Sequence, residues 1–178
     1  MALGSFTTHL ALTRTDLLAA GVAARLAQWP QADQVLVTEI DPAHADTAAL
    51  SAAYDLPLTC SANCVVVGGS RGGVERVAAC VVLASTRADV NGLVKRRLDV
   101  RKASFLAMER AVELTGMEHG GITPVGLPPS WSLLVDDAVV AEPTVVIGSG
   151  LRRSKLLLPG ALLAHLPGAV VVEGLGRT

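Results

Sequence analysis

The chain has 178 residues, of which 51% are apolar and only five are aromatic, and its formal net charge at pH 7 is −1. This composition predicts one domain, residues 1–178, with an aliphatic core, and the small net charge excludes polyanion binding through bulk electrostatics. The sequence contains neither an apolar run long enough to cross a membrane nor the pattern of a signal peptide, so we expect a cytoplasmic protein with no membrane partner.

The N-terminal part of the chain predicts two helices separated by a strand. Residues 15–28 carry apolar side chains at helical spacing, and this helix ends before Pro30. The run QVLVTEI that follows is typical of a strand. A second helix, residues 47–55, begins after Asp46, whose carboxylate is a preferred N-cap.

The glycine-rich stretch GGSRGG, residues 68–73, allows two interpretations. It matches the nucleophile elbow G-x-S-x-G of serine hydrolases, in which Ser70 would attack and His165 with Asp136 or Asp137 would complete a triad. The segment VERVAACVVLAS that follows is rich in valine, however, which favours a strand over the helix that an elbow requires. We therefore predict a hairpin between two strands and keep a serine esterase as an alternative.

The remaining residues predict further helices and strands. A short helix covers residues 89–98, the strand KASFLA follows, and the helix MERAVELTG ends at Gly116 in the left-handed conformation. Beyond a glycine-rich loop, turns and the short helix ALLAHL separate the strands WSLLV, TVVIG, KLLL and AVVVEG. Because hairpins join the strands as often as helices do, we predict an α/β chain of the α+β type, with one mixed, largely antiparallel sheet and flanking helices.

Basic residues are concentrated in two places. Residues 1–60 carry six acids and two bases, whereas residues 61–178 carry ten acids and thirteen bases. The first cluster contains Lys95, Arg96, Arg97, Arg101 and Lys102, and the second contains Arg152, Arg153 and Lys155. Such clusters can contact phosphates locally although the whole chain is nearly neutral.

The cysteines and histidines do not predict a metal site. Cys60, Cys64 and Cys80 have neither a C-x-x-C spacing nor histidine partners, so we expect reduced, partly buried thiols, no metal and no cofactor. His119 lies beside two glycines and is a candidate acid or base, although a histidine in such a loop is more often simply exposed.

A series of short phrases after Asp46 occurs in the order found in a known family. The phrases are TAALSAAYDLP, SANCVV, the glycine-rich hairpin, LDVRKASFLA, ELTG, GGITPVGL, VDDAV and IGSGLRR. This order resembles the YbaK family of aminoacyl-tRNA deacylases, which is related to the editing domain of bacterial prolyl-tRNA synthetases. The resemblance implies the fold of that family, with a core at about 46–175 and an N-terminal helix and strand at 14–40.

The resemblance also implies an activity, the hydrolysis in trans of the ester of a misacylated tRNA. A binding pocket discriminates poorly between amino acids that differ by one methylene, because the difference is worth only about 1–3 kcal/mol, and a second, hydrolytic site removes the errors. An aminoacyl ester is already activated, so the site has only to hold the ester, place a water and stabilise the oxyanion. In the family, the terminal ribose hydroxyl of the tRNA or a thiol of the substrate assists.

The glycine-rich loop suits the stabilisation of an oxyanion. The backbone N–H groups of Gly120 and Gly121 can approach the ester carbonyl closely, because neither residue has a side chain. By the resemblance, Asn63 faces the same pocket. The substrate-binding residues that the resemblance implies are Ile122, Thr123, Pro124, Gly148, Ser149 and Gly150.

One position departs from the pattern of the family. The characteristic lysine of the family falls on Asn63, which can donate two N–H bonds but carries no charge. A catalytically impaired module that binds tRNA or a partner is therefore an alternative to the enzyme.

The acceptor end of a tRNA is the predicted partner, bound weakly and with a steep dependence on salt. The predicted contacts are Lys95, Arg96, Arg97, Arg152, Arg153 and Lys155. A synthetase or an elongation factor is a further candidate partner, because it would deliver the tRNA. If the substrates of the family apply, the aminoacyl group is small, such as alanine or cysteine.

Overall fold

A computed structural model of the chain describes residues 4–178, which form eleven β-strands and five α-helices. The strands are β1 (Thr8–Leu10), β2 (Leu36–Glu39), β3 (Ala62–Arg71), β4 (Val74–Leu83), β5 (Arg87–Ala88), β6 (Ala103–Phe105), β7 (Ser132–Asp136), β8 (Val145–Gly148), β9 (Ser154–Leu158), β10 (Ala169–Val172) and β11 (Gly176–Arg177). The α-helices are α1 (Ala20–Ala27), α2 (Thr47–Tyr54), α3 (Lys95–Leu98), α4 (Met108–Thr115) and α5 (Asp137–Val140). A π-helical turn, Val90–Val94, leads into α3, and a 3-10 helix, Gly160–His165, precedes β10.

The strands form two main sheets. One is antiparallel and has the order β1-β2-β9-β8, and the other has the order β10-β7-β4-β3-β6. In the second sheet β7 pairs in parallel with β4 and β10, while the other pairs are antiparallel. The predicted α+β class and mixed pairing are confirmed. The strands divide into two main sheets rather than one, because β3 and β8 are joined only by the bridge between Ser61 and Val146.

Aliphatic side chains fill the space between the two sheets. Ile147 and Leu156 of the four-stranded sheet share one buried cluster with Val81 and Val135 of the five-stranded sheet, and α1 packs into the same cluster. Successive residues of a strand face opposite sides of the sheet. The strand residues that point away from this shared cluster therefore form separate clusters on the outer faces of the two sheets. One of these contains Leu98 of α3, and the other packs α2 against β8 and β9.

The first predicted helix is shorter than its sequence pattern. Thr15–Leu17 form a 3-10 turn, Leu18 is extended, and α1 begins only after Ala19. A tertiary contact explains this difference. The N–H of Ala19 donates to the carbonyl of Ser149 at 3.1 Å and not to a carbonyl in the preceding turn, as it would in a continuous helix.

The predicted helix ends are mostly found. Asp46 is the N-cap residue of α2, although its side chain makes no capping hydrogen bond. Gly116 ends α4 with a φ of 65°, as predicted. None of the helices in residues 4–178 is long and apolar enough to cross a membrane.

The stretch GGSRGG is the tip of the β3–β4 hairpin. Ser70 lies in β3 opposite Glu75, and the turn consists of Gly72 and Gly73, whose φ values of 59° and 79° suit a two-residue hairpin loop. A strand, not a helix, follows Ser70, so the strand–turn–helix of a nucleophile elbow is not formed. The carboxylate of Asp136 accepts the N–H of Leu175 at 3.1 Å. The serine-esterase alternative therefore lacks the geometry that it requires.

The N-terminal segment completes the four-stranded sheet, since β1 pairs with β2 and β2 pairs with β9. Within the predicted segment 14–40 lie α1 and β2. The predicted domain boundaries themselves stay a prediction, and residues 1–3 of the predicted domain lie outside the described range.

Candidate active site

Two strand edges approach one another and leave a cavity between them. β8 is an edge strand of its sheet, and the first half of β3 has no partner on one side, because β6 pairs only with residues 67–69. The two edges make one parallel bridge, between Ser61 and Val146. Next to this bridge lies a cavity of about 220 Å³, bordered also by the start of α2 and by the loop after α4.

The cavity has an apolar wall and a polar side. The apolar wall consists of Leu50, Ala62, Val65, Met108, Ile122, Val146 and Ile147. The polar side consists of Asp46, Thr47, Ser61, Asn63, His119, Gly120 and Lys155. Since an apolar cavity of about 150 Å³ holds a benzene molecule, this volume suits a small apolar group with a polar group attached rather than a whole nucleotide.

Asn63 lies on β3 and is oriented by α2. The hydroxyl of Thr47 donates to Oδ1 of Asn63 at 2.9 Å, so this oxygen is occupied. The two Nδ2 hydrogens have no acceptor among the residues that the structure describes. Ser61 also borders the cavity, and its Oγ is buried without a hydrogen-bond partner within residues 4–178. This edge of the cavity therefore offers uncommitted polar groups to a ligand.

The loop after α4 contains the two predicted oxyanion glycines, which differ in their hydrogen bonds. Gly120 borders the cavity with a φ of 79°, and its N–H has no acceptor in the described part of the chain. Gly121 lies behind it, and its N–H donates to the carbonyl of Glu118 at 2.9 Å. Of the two predicted backbone donors, only that of Gly120 is therefore free to reach a ligand.

Close packing explains why glycine occurs at neighbouring positions. A methyl group on Gly148 would overlap the carbonyl oxygen of Gly121, and one on Gly121 would lie 2.7 Å from the backbone of Leu151. The N–H of Gly150 donates to the carbonyl of Gly121 at 2.8 Å. The loop is thus seated directly on the end of β8, and this contact positions Gly120 at the cavity.

Two of the six predicted substrate-binding residues border the cavity, namely Ile122 and Gly148. Thr123 is fully buried elsewhere, and Pro124 faces a separate groove of about 140 Å³. These two residues follow the loop away from the cavity and into the core.

Of the predicted substrate-binding residues 148–150, only Gly148 borders the cavity. Ser149 is fully buried, with its Oγ 2.7 Å from the Oγ of Ser154. A methyl group on Gly150 would overlap the side chain of Ala19, so this glycine packs against the segment before α1. Ser149 and Gly150 therefore support the turn after β8 and do not reach a ligand in the cavity.

The first basic cluster lies away from the cavity. Lys95, Arg96 and Arg97 belong to α3, which packs through Leu98 on the outer face of the five-stranded sheet, and none of them borders the cavity. Arg97 instead borders another surface groove, of about 470 Å³.

The second basic cluster does not form one surface patch. Arg152 lies at the rim of the cavity, where its guanidinium is 3.8 Å from the carboxylate of Asp46 and 3.4 Å from the carbonyl of His119. Arg153 points elsewhere and donates to the carbonyl of Asp16 at 2.6 Å. The third base, Lys155, is buried.

Lys155 does not lie on the surface, as a contact with tRNA phosphates would require. It is 7% exposed and belongs to β9, an interior strand between β2 and β8 whose five residues are all buried. Its Nζ donates to the carbonyls of Ala45 and Gly120 at 2.9 and 3.1 Å. Burial lowers the pKa of Lys155 to about 8, with Asp46 opposing this shift and Arg152 adding to it. The overlooked signal is a single lysine within the apolar strand SKLLL.

Burial disfavours the ionised form of the thiols on β3 and β4. Burial raises the pKa of Cys64, which borders the cavity, far above the ordinary range, and raises that of Cys80 to about 12. These shifts favour the neutral thiol, whereas the thiolate is the reactive form. Within residues 4–178 no group of three or more His, Cys, Asp or Glu side chains could hold a metal ion.

Comparisons with known proteins agree on one kind of domain. The family model of the aminoacyl-tRNA editing domain matches residues 41–166. A crystal structure of a protein provisionally described as a trans-editing enzyme for prolyl-tRNA synthetase superimposes with a TM-score of 0.75 at 21% identity, covering 90% of this chain and 97% of that one.

Two further solved structures share the fold. A hypothetical protein superimposes with a TM-score of 0.69 at 23% identity, over 79% of this chain and 90% of that one. A scaffold used for computational epitope grafting superimposes with a TM-score of 0.73 at 21% identity, over 90% and 97% of the two chains. None of the curated proteins matches the sequence significantly.

Proposed function

The chain belongs to the aminoacyl-tRNA editing domain family, and from this membership we propose that it hydrolyses, in trans, the ester bond of a tRNA that carries a wrong amino acid. The observation that carries the proposal is the cavity between β3 and β8, which is bordered by an apolar wall and by Asn63 and Gly120, whose N–H donors have no acceptor among the described residues. A small aminoacyl group would lie against this wall, and its ester carbonyl would accept hydrogen bonds from the polar side.

The reaction needs no covalent intermediate with the protein. A water oxygen adds to the ester carbon, and the electron pair of the carbonyl moves to its oxygen, where the N–H of Gly120 and Nδ2 of Asn63 stabilise the charge. One such donor is typically worth a factor of about 10² to 10³ in rate. The ester C–O bond then breaks, the ribose oxygen takes a proton from the water, and a free amino acid and an uncharged tRNA leave.

The tRNA would approach with its acceptor end at the rim of the cavity. Arg152 contacts Asp46 and His119, which both border the cavity, so we propose that its guanidinium contacts the terminal phosphates. Lys95, Arg96 and Arg97 on α3 would contact more distant phosphates. Because few phosphates are neutralised, we expect weak binding that decreases as the salt concentration rises. A synthetase or an elongation factor would deliver the tRNA.

A second candidate function is binding without hydrolysis. It is favoured by Asn63, since this residue stands where the family has a lysine and brings no charge. Such a module would bind an acylated tRNA and protect its ester rather than cleave it.

Deacylation of a panel of tRNAs, each mischarged with glycine, alanine, serine, cysteine or threonine, separates the two candidates. We expect the wild type to release at least one small amino acid and Ser70→Ala to be equally active, because Ser70 lies at the exposed hairpin tip. An inactive wild type combined with an active Asn63→Lys variant would establish the binding module instead.

A further inference from the structure

Lys155 is a buried cation on β9. It forms no salt bridge among the described residues, and the Asp46 carboxylate, which borders the same cavity, contacts Arg152 at 3.8 Å. Burying a charge costs free energy unless it is paired or hydrogen-bonded, so lysine is rarely buried for structural reasons alone. A lysine on an interior strand, at the wall of a cavity, is therefore a candidate for a functional group.

The ammonium group of Lys155 has one donor left. A lysine ammonium has three N–H donors, and two of them bind the carbonyls of Ala45 and Gly120. These two contacts hold Nζ between the start of α2 and the glycine-rich loop. The third donor has no acceptor in the described part of the chain, and Lys155 borders the cavity. It is therefore available to a group bound there.

Asn63 and Lys155 lie on different sheets but border the same cavity. Asn63 comes from β3, at the position where the family has its lysine, and Lys155 comes from β9. The cavity thus contains a lysine ammonium, but this lysine comes from β9 and not from β3, where the family has its lysine.

Resting on the proposed deacylase function, we propose that Lys155 is a catalytic residue, whose third N–H donates to the ester carbonyl oxygen and stabilises the negative charge that develops on it. The water adds to the ester carbon and the ribose oxygen leaves as described above, and Lys155 keeps its proton throughout. A charged donor stabilises an oxyanion more than a neutral one does, so Lys155 contributes more than Asn63.

The charged and titratable groups around Lys155 are consistent with an ammonium at neutral pH. Asp46 on α2 favours its protonated form and Arg152 in the loop before β9 opposes it. His119 at the mouth and the neutral thiol of Cys64 also border the cavity. With a pKa of about 8, Lys155 is mostly protonated at pH 7 and donates a hydrogen bond rather than removing a proton.

The test measures single-turnover deacylation of a tRNA from the mischarged panel by the wild type, Lys155→Met and the control Lys102→Met, whose lysine is exposed. We expect Lys155→Met to lower the rate constant about 10²- to 10³-fold with little change in the half-saturating tRNA concentration. Lys102→Met should match the wild type. Methionine keeps an unbranched side chain that lacks the ammonium group, and circular dichroism checks the fold of each variant.

A double variant separates a catalytic charge from a structural clamp. Asn63→Lys in the Lys155→Met background returns a lysine to the cavity from β3 but leaves the carbonyls of Ala45 and Gly120 without Nζ. Recovery of at least tenfold in rate over Lys155→Met supports the catalytic charge. Equal rates for the wild type and Lys155→Met, or no recovery in a folded double variant, overturn the proposal.

A binding experiment gives an answer that does not depend on turnover. The probe is an aminoacyl group of the panel joined by an amide to 3′-amino-3′-deoxyadenosine, and the readout is the ε-carbon NMR signal of the three lysines. We expect the probe to shift the signal of Lys155 and not that of Lys102, whereas binding without a shift at Lys155 overturns the proposal. If no tRNA is hydrolysed and no probe binds, the proposed function itself fails and the role of Lys155 fails with it.

Discussion

Two glycine-rich regions of this chain have similar compositions and opposite physical roles. At the tip of the β3–β4 hairpin, Gly72 and Gly73 have positive φ values, and a methyl group on either would meet nothing within 4 Å. At the cavity, a methyl group on Gly148 would overlap the carbonyl oxygen of Gly121, although the strand conformation of Gly148 is ordinary. The tip requires glycine for its backbone conformation, whereas Gly148 at the cavity is required for space.

The polar side chains of the two regions differ in the same way. The side chain of Ser70 at the tip is exposed to solvent, and its backbone lies opposite Glu75 of the neighbouring strand. Asn63 and Lys155 at the cavity are partly or fully buried and keep donors free. In this chain the motif GGSRGG therefore forms a turn. The candidate site lies instead where packing has buried polar groups and left some of their donors without acceptors.

The largest expected combined loss of stability and activity comes from filling space at the cavity. Gly148→Ala should destabilise the protein by about 3 kcal/mol, because two backbone segments must separate. It should also lower deacylation about 100-fold, because Gly120 moves with the loop. The matched variant Gly73→Ala costs only the left-handed conformation, about 1 kcal/mol, and should leave activity unchanged. Urea unfolding and deacylation rates measure both, and equal destabilisation by the two variants would contradict the comparison.

The second effect is the dependence of stability on pH. Because the folded pKa of Lys155, about 8, lies below its ordinary value of 10.5, the unfolded chain binds more protons between these pH values. The wild type should therefore gain stability as pH rises through this window, by about 3 kcal/mol relative to Lys155→Met. Below pH 8 the difference between the two proteins should be constant.

Arg71 at the hairpin tip provides the control for this titration. It is exposed and pairs with Asp99, so Arg71→Met should change stability by less than about 1 kcal/mol and follow the wild type across the same pH range. Urea unfolding at several pH values tests both variants. Parallel curves for the wild type and Lys155→Met would show that Lys155 titrates normally and is not buried.

The smallest expected effect concerns neutral hydrogen-bond donors. Asn63→Ala removes one uncharged donor from the cavity and should lower the deacylation rate about tenfold, less than the factor of about 10² expected for a sole donor, because the donors of Gly120 and Lys155 remain. Ser70→Ala removes an exposed hydroxyl from the hairpin and should leave the rate unchanged. A rate that depends on Ser70 and not on Asn63 would move the active site to the hairpin and restore the esterase alternative.

Local patterns predicted most of the secondary structure. Valine-rich runs flanked by glycine predicted β3 and β4, and the Gly116 cap predicted the end of α4. The first helix was predicted too long, because a hydrogen bond between Ala19 and Ser149 is a long-range contact that periodicity cannot contain. One sheet was predicted and two main sheets are found, because pairing between strands that are distant in the sequence does not follow from local patterns.

The candidate site was predicted in part. The order of motifs led to Asn63, Gly120, Ile122 and Gly148, which all border the cavity. Ser149 and Gly150 were expected beside Gly148, but adjacent residues at a strand end face different surroundings and only packing determines which one reaches the cavity.

The sequence by itself determined the order of helices and strands, the hairpin tip and the family, because these depend on neighbouring residues and on motifs in a given order. Only the tertiary structure decided that the N–H of Gly121 is already bound by Glu118 and that Lys155 is a buried group of the cavity. In the sequence Lys155 lies in a cluster of bases that is typical of a surface. In the fold it lies on an interior strand, and its side chain is covered by the segment before α2 and by the glycine-rich loop, whose carbonyls at Ala45 and Gly120 bind its ammonium group.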